Sequence, residues 1–313
     1  MKKFYSKVFF FIAPMILVSL FLDSKLSEMH RKVHELPDEI SVWNDIYTSS
    51  IQCDLAIYGS SRAWVHFDPE IMEDSIGLSV YNFGIDGHNF TLQYLRHKEY
   101  FKHNKKPKII LLSLDIGSLE KNNNPYNYQQ FLPYMSWNQQ IKKYTQQFDF
   151  FSPYEFYLPL LRYAGQRSII QKILSNKINQ SYSKTIRRKG FKGQNKEFTE
   201  KSTQSSMSKR EVKMDSEIKK LFLRFIEEVV SENIQLLFVY SPEYIAGQKH
   251  ITNREEILEF YRACADKYNI RFVDFSNHSI SLNKNLFYNY SHLNISGANA
   301  FSKALIPQIK TAF

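Results

Sequence analysis

The stretch Asp54-Leu55-Ala56-Ile57-Tyr58-Gly59-Ser60-Ser61-Arg62 decides how the rest of the chain is read. Residues 55–58 are apolar without polar alternation, the pattern of a short strand buried on both faces. Gly59 stops it, and Ser60, Ser61 and Arg62 follow at its carboxyl end. Asp68-Pro69-Glu70 then offers a cap, a proline at the first helical position and an acidic first turn, so a helix runs to about Gly77. Residues 79–83 are a second strand, ending in Gly84-Ile85-Asp86-Gly87-His88, and Phe90, Tyr94, Leu95 and Phe101 space the next helix. Lys108-Ile109-Ile110-Leu111-Leu112-Ser113-Leu114-Asp115 is the clearest buried strand in the chain.

The rhythm breaks between about 118 and 210. Residues 122–147 are rich in Asn, Gln and Tyr, and Ser152-Pro153-Tyr154-Glu155 has capping-box spacing for a helix kinked at Pro159. Residues 175–210 are polar and basic, with Arg187-Arg188-Lys189-Gly190-Phe191-Lys192-Gly193 among them. The first half reads as a helical insert over the site, its tyrosines mainly packing residues, and the second half as a mobile loop. A basic loop of this kind is either solvated or in contact with phosphates of a glycan or lipid carrier. Ile218, Leu221, Phe222, Phe225, Ile226, Val229 and Val230 then restore a helical face. A strand at 234–240 ends in Ser241-Pro242-Glu243-Tyr244, a helix covers 255–268, and 270–275 is the fifth strand. A closing helix starts at Ser296 and frays around Pro307. Strands alternating with helices give an α/β fold, a mostly parallel five-stranded sheet with helices on both faces. Ligands in such sheets bind at the carboxyl ends of the strands, where Ser61, Gly87, Asp115, Ser241 and His292 fall.

The N-terminus carries an address. Lys2, Lys3 and Lys7 precede the uncharged run 8–22. Fifteen helical residues span about 22 Å, and extension back to Phe4 gives about 28 Å, against a hydrocarbon core of about 30 Å. No small-x-small cleavage site follows, so an uncleaved signal anchor is expected, with the lysines cytoplasmic and the body outside. Residues 1–25 are thus the transmembrane anchor, 26–50 a stalk or leading helix, and 51–313 the main domain with an insertion at about 118–210.

Bulk numbers exclude more than they assign. With 43% hydrophobic and 23% charged residues the 313-residue chain is globular, and 10 glycines argue against a repetitive or disordered one. A net charge of +10 and a pI near 9.3 suit an anionic partner. No nucleic-acid motif accompanies the charge, and an outward-facing body would lie away from the genome, so no nucleic-acid partner is expected. Cys53 and Cys264 lie in apolar segments without a CxxC neighbour; each reads as a small buried hydrophobe, with a disulfide between them left open. No HExxH, P-loop or cofactor fingerprint is present, so neither metal nor cofactor is expected.

The second decisive stretch is Phe287-Tyr288-Asn289-Tyr290-Ser291-His292-Leu293-Asn294-Ile295-Ser296-Gly297-Ala298. A serine leaving the first strand and a histidine arriving after the last can meet as nucleophile and base. Together these residues resemble the SGNH/GDSL hydrolase superfamily, in a membrane-anchored branch with Gly-Ser-Ser-Arg in place of Gly-Asp-Ser, over roughly 50–120 and 210–313. The resemblance implies a flavodoxin-like α/β/α sandwich, Ser61 as nucleophile and His292 as base. It also implies backbone N–H groups of Ser61 and Gly87 (in Asn-x-Gly-x-x-Gly) as oxyanion donors. Two positions depart from the pattern. Asn289 stands where the family has the acid that orients the base, and Asp115 stands near the place of an asparagine donor. Arg62, His88 and Asp115 are candidate substrate-binding residues; Arg62 either holds an anionic group or pairs with a carboxylate such as Asp86.

The function implied is an extracytoplasmic serine esterase, deacetylase or O-acyltransferase on acyl esters, acetyl foremost, of a cell-surface polysaccharide or oligosaccharide. The competing reading is a non-catalytic module of the same fold that binds glycan or a membrane-bound O-acyltransferase.

Overall fold

The computed structural model describes residues 1–32, 39–175, 187–199 and 208–312. In chain order its elements are α1 (Lys2–Arg31), α2 (Glu39–Tyr47), β1 (Leu55–Tyr58), α3 (Ser61–His66), α4 (Pro69–Ile76), β2 (Val80–Asn82), α5 (Phe90–His103) and β3 (Ile109–Ser113). There follow α6 (Gln139–Thr145), α7 (Arg167–Ser175), α8 (Ser216–Ser231), β4 (Gln235–Tyr240), α9 (Ile245–Gln248), α10 (Arg254–Lys267), β5 (Arg271–Asp274), α11 (Ser279–Leu282) and α12 (Ile295–Lys310). The chain forms two compact units. One combines Met1–Asn44 with Asn123–Ile186, and the other combines Asp45–Asn122 with Arg187–Phe313.

The second unit holds a five-stranded parallel sheet in the order β2-β1-β3-β4-β5. Every residue of β1, β2 and β3 is buried, and all but Asn82 and Ser113 are apolar. One face, with Leu55, Ile57, Leu111, Leu237 and Val239, packs against Ala63 of α3, Phe67 just after it, Met72 of α4, and Phe301 and Leu305 of α12. On the other face Tyr58 meets Phe225, and Phe238 meets Phe222, from α8. This is the expected three-layer α/β/α arrangement, in the flavodoxin-like strand order. The order reverses between β1 and β3, so their carboxyl ends splay apart and leave a crevice there. Residues that follow these two strands therefore share one site.

Several local expectations change. The last helix begins at Ile295, because Asn294, not Ser296, is its cap and accepts from the Gly297 N–H at 3.0 Å. It continues through Pro307 to Lys310; the carbonyl of Lys303, left without its usual partner, belongs to an exposed residue. Ser152 and Glu155 do form a capping box, yet only the 3₁₀ turn Pro153–Phe156 follows. Pro159 disfavours helix at the residue before it, and Leu160 takes a left-handed φ of 65°. Cys53 and Cys264 are buried and free.

The largest change concerns the basic stretch. Residues 187–199 are pinned to the sheet unit rather than loose, while 176–186 and 200–207 lie outside the described residues. Arg188 and Phe191 exchange both backbone hydrogen bonds around Lys189 (φ 47°) and Gly190 (φ 81°), the geometry of a tight type I′ turn. A side chain at Gly190 would begin 1.7 Å from the Asn82 carbonyl oxygen, so only glycine fits. Arg187 is buried, donates to the Gly84 carbonyl at 2.8 Å and stacks 4.6 Å from the Trp64 ring. Arg188 pairs with Glu70, and Lys189 with Glu73, both on α4.

Asn82 is the knot under this arrangement. Its amide donates to the carbonyls of Ala63 at 2.8 Å and Phe67 at 2.9 Å, and accepts from the Gly84 N–H at 2.9 Å. It thereby ties β2 to both ends of α3, the helix that carries Ser61. Asn82→Ala leaves three buried polar groups without their partner, which is expected to cost about 3 kcal/mol at about 1 kcal/mol each. The midpoint of urea unfolding of the sheet unit, followed by near-ultraviolet circular dichroism, measures it.

In the first unit α1 contains an 18-residue window of mean hydropathy 2.0, none of it buried. This helix is long and apolar enough to cross a membrane.

Candidate active site

Ser60 caps α3 with extended backbone, and Ser61 is the helix's first residue, at the carboxyl end of β1. The N–H groups of a first helical turn lack intrahelical acceptors, so that of Ser61 is available to a ligand. The Ser61 Oγ lies 2.7 Å from His292 Nε2. The loop that holds His292 is closed by a bridge between Phe287 and Leu293 and by the Tyr288 N–H on the His292 carbonyl at 3.0 Å. Tyr288 stacks on the imidazole with ring centroids 5.4 Å apart.

Asn289 stands directly behind the imidazole. Its Oδ1 accepts from the backbone N–H of Ser291 at 2.9 Å, that of His292 at 2.8 Å, and lies 3.0 Å from Nδ1. Two backbone donors on one atom identify that atom as the amide oxygen, so Nδ1 must carry the proton and donate. Nε2 is then the bare nitrogen, and Ser61 donates to it. An amide thus sets the tautomer that a carboxylate would otherwise set, without its charge. Burial, and after it the Arg62 charge, push the His292 imidazole down to about 3.

A second histidine braces the site. Leu293 N–H donates to His66 Nε2 at 3.0 Å, which leaves the other ring proton for Ser241 Oγ, 2.9 Å from Nδ1. Burial and the neighbouring Arg62 and His292 hold His66 well below its ordinary value, so it is a neutral strut between α3, β4 and the His292 loop.

Arg62 is buried and committed to protein groups. It donates to the Ser241 carbonyl, lies 3.3 Å from an Asp115 oxygen and 3.7 Å from Glu243, and covers the Tyr240 ring at 4.4 Å. Its carboxylate partners are therefore Asp115 and Glu243, rather than Asp86. The row extends to Arg254, which meets Glu243 at 2.8 Å. Asp115 also accepts from Ser60 Oγ. Burial raises its carboxyl above the usual range, against the pull of Arg62. Negative and positive groups alternate as Asp115, Arg62, Glu243 and Arg254, the arrangement that makes buried charge tolerable.

A cavity of about 610 Å³ opens over Ser61 and His292, within the sheet unit. Gly87 lines it with a φ of 70°, and His88 and Asp115 reach it as well. Gln248, His250 and Arg210 add polar groups to its lining. Ser61, Gly87, His88, Asp115 and His292 are thus brought to one cavity, with Arg62 at its floor and Asn289 behind the imidazole. Sequence reasoning missed Ser60, His66, Tyr240, Glu243 and Arg254. Glu243 had a signal, since it follows β4 at the same sheet edge; His66 and Arg254 sit within helices and gave none.

No family model matches the chain, and no curated protein does. Among solved structures it is similar to a candidate platelet activating factor from Streptococcus pneumonia, at 11% identity over 98% of this chain and 99% of that one, TM-score 0.44. It is similar to a candidate lipolytic protein of the G-D-S-L family from Desulfitobacterium hafniense, at 10% identity over 81% and 97%, TM-score 0.40. A third is a carbohydrate acetylesterase family member from Sinorhizobium meliloti, at 10% identity over 82% and 97%, TM-score 0.34. At these values the site's own geometry carries the functional argument.

Proposed function

We propose that this chain is a serine ester hydrolase or O-acyltransferase, held in a membrane by α1 with its body outside the cytoplasm. Its substrates are acyl esters, acetyl foremost, of a surface polysaccharide. One observation carries the chemistry: a serine hydroxyl 2.7 Å from an imidazole nitrogen whose proton is held on the other side by Asn289. Ser61 Oγ attacks the ester carbonyl as Nε2 takes its proton. The N–H groups of Ser61 and Gly87 receive the oxyanion. Collapse breaks the bond to the sugar oxygen, which leaves with the proton from His292, and the acyl group stays on Ser61. Water or a second sugar hydroxyl, deprotonated by His292, then removes it. The polar wall of the cavity suits a hydroxyl-rich substrate.

A second reading has its own support. Among the described residues the group behind His292 Nδ1 is the neutral Asn289 amide, and Arg62 opposes protonation of the imidazole. On this reading the module binds glycan, or a membrane-bound O-acyltransferase, without catalysis. A fluorophosphonate probe separates the two. The full chain in detergent should label at wild type and not as Ser61→Ala. An unlabelled wild type, or equal labelling of Ser61→Ala, leaves the binding module, whose polysaccharide affinity would survive that substitution.

A further inference from the structure

We propose that the turn at residues 150–158 is an interfacial membrane contact, seated in the headgroup layer of the bilayer that α1 crosses. The inference rests on α1 being a retained anchor. All of its observations lie within the unit formed by Met1–Asn44 and Asn123–Ile186.

Apolar side chains of α1 are exposed from Phe4 to Leu22, a span of about 28 Å, close to the thickness of a hydrocarbon core. The next residue, Asp23, is buried and tied to the insertion. Its Oδ1 accepts from the Leu160 N–H at 2.7 Å, and its Oδ2 from Arg162 Nη2 at 2.8 Å. One and two turns further, Ser27 meets Arg162 at 2.8 Å, and His30 meets the Tyr163 hydroxyl at 3.2 Å. The end of the apolar run is therefore fastened to residues 160–163, and the chain just before them is held at the same depth.

That chain is apolar and uncovered. Tyr154, Tyr157 and Leu158 are 68%, 69% and 52% exposed on the turn closed by the Leu158 N–H on the Tyr154 carbonyl at 2.9 Å. Leu158 lies two residues from Leu160, which keeps its backbone within about 10 Å of the Asp23 carboxylate. Phe150 is exposed beside Tyr128, and the Lys142 ammonium lies 4.0 Å from the Tyr157 ring centroid. Beyond α1 and its N-cap Met1, seven of the nine exposed large apolar side chains among the described residues fall between 126 and 174; Val230 and Leu282 are the other two. Rings that bear hydroxyls, at the depth where hydrocarbon gives way to water and with a lysine beside them for lipid phosphate, match the interfacial layer of a bilayer.

The test uses the full chain in vesicles of phosphatidylcholine with a minority of phosphatidylglycerol, brominated either near the headgroup or near the chain ends. Tyr157→Trp, made with Trp137→Phe to remove the exposed native indole, reports on the turn; Phe11→Trp reports on the middle of α1. The expected result is loss of the Tyr157→Trp emission with shallow bromine, little loss with deep bromine, and weak quenching by aqueous iodide. Phe11→Trp should lose most with deep bromine. If Phe11→Trp is quenched while Tyr157→Trp answers only to iodide, the anchor stands and this contact is overturned, as it would be were the patch reserved for a protein partner. If neither is quenched by bromine, the anchor reading itself has failed and takes the contact with it. Tyr154→Trp repeats the measurement at a second exposed position.

Discussion

Replacing His292 with alanine is expected to lower kcat on an acetyl ester by about 10⁴–10⁵. A complete serine triad is worth about 10⁶ in kcat when serine or histidine is removed. Here the partner behind the imidazole is neutral, and a charged acceptor would add about 1.4–2.8 kcal/mol to that hydrogen bond, one to two decades in rate. The remaining four to five decades belong to Ser61 and His292 acting together. His292 is half-buried, with Tyr288 stacked on its ring, so alanine also removes packing there. His292→Gln keeps most of the volume and should show the same loss. Initial rates on p-nitrophenyl acetate measure both variants; a loss below tenfold in both would remove His292 from the role of base.

The opposite change is expected at Asn289. Asn289→Asp should raise kcat by about 10–10²-fold, because a carboxylate can accept the same three N–H donors and stabilise the imidazolium that forms as Ser61 attacks. KM should stay put, since Asn289 does not line the cavity. The pH profile gives an independent readout. The base works only when neutral. With its imidazole pushed down to about 3, the wild type should keep kcat/KM on its plateau far into acid, falling only as pH drops through that value. An added carboxylate favours the protonated form and raises the value, so the variant's acid limb should move toward the ordinary histidine range near 6.5. A variant with unchanged kcat and an unmoved acid limb would mean that the amide is not what governs His292.

The strands were legible because burial on both faces demands an unbroken apolar run, and residues 55–58, 109–112 and 236–240 write one plainly. Asp68 before Pro69 was legible for a similar reason, since cap chemistry is local; its side chain accepts from the Glu70 N–H at 3.0 Å. The exact start of the last helix was not, because Asn294 and Ser296 are both good caps and the choice was made elsewhere. Asn294 also donates to the Asn285 carbonyl at 2.8 Å, which only the folded loop supplies. The stretch 187–199 misled for the same reason. Its composition is that of a solvated loop, while Arg187 is held by a backbone carbonyl and an indole face far away in sequence.

The site divides along the same line. Sequence alone determined that Ser61 leaves the first strand, that His292 follows the last, and that Asn289 rather than an acid stands three residues before it. Strand ends and motif spacing are properties of neighbouring residues, and need nothing more than the local sequence. Tertiary structure decided what those residues do to one another. It turned the Asn289 oxygen toward Nδ1 through two backbone donors, and placed Arg62 between Asp115 and Glu243 at the floor of the cavity. It also set His66 between α3 and the His292 loop. The Asn289 contact closes within three residues, but the Arg62 and His66 contacts pair groups 50 to 230 positions apart, where buried polar groups must find partners and local sequence does not name them.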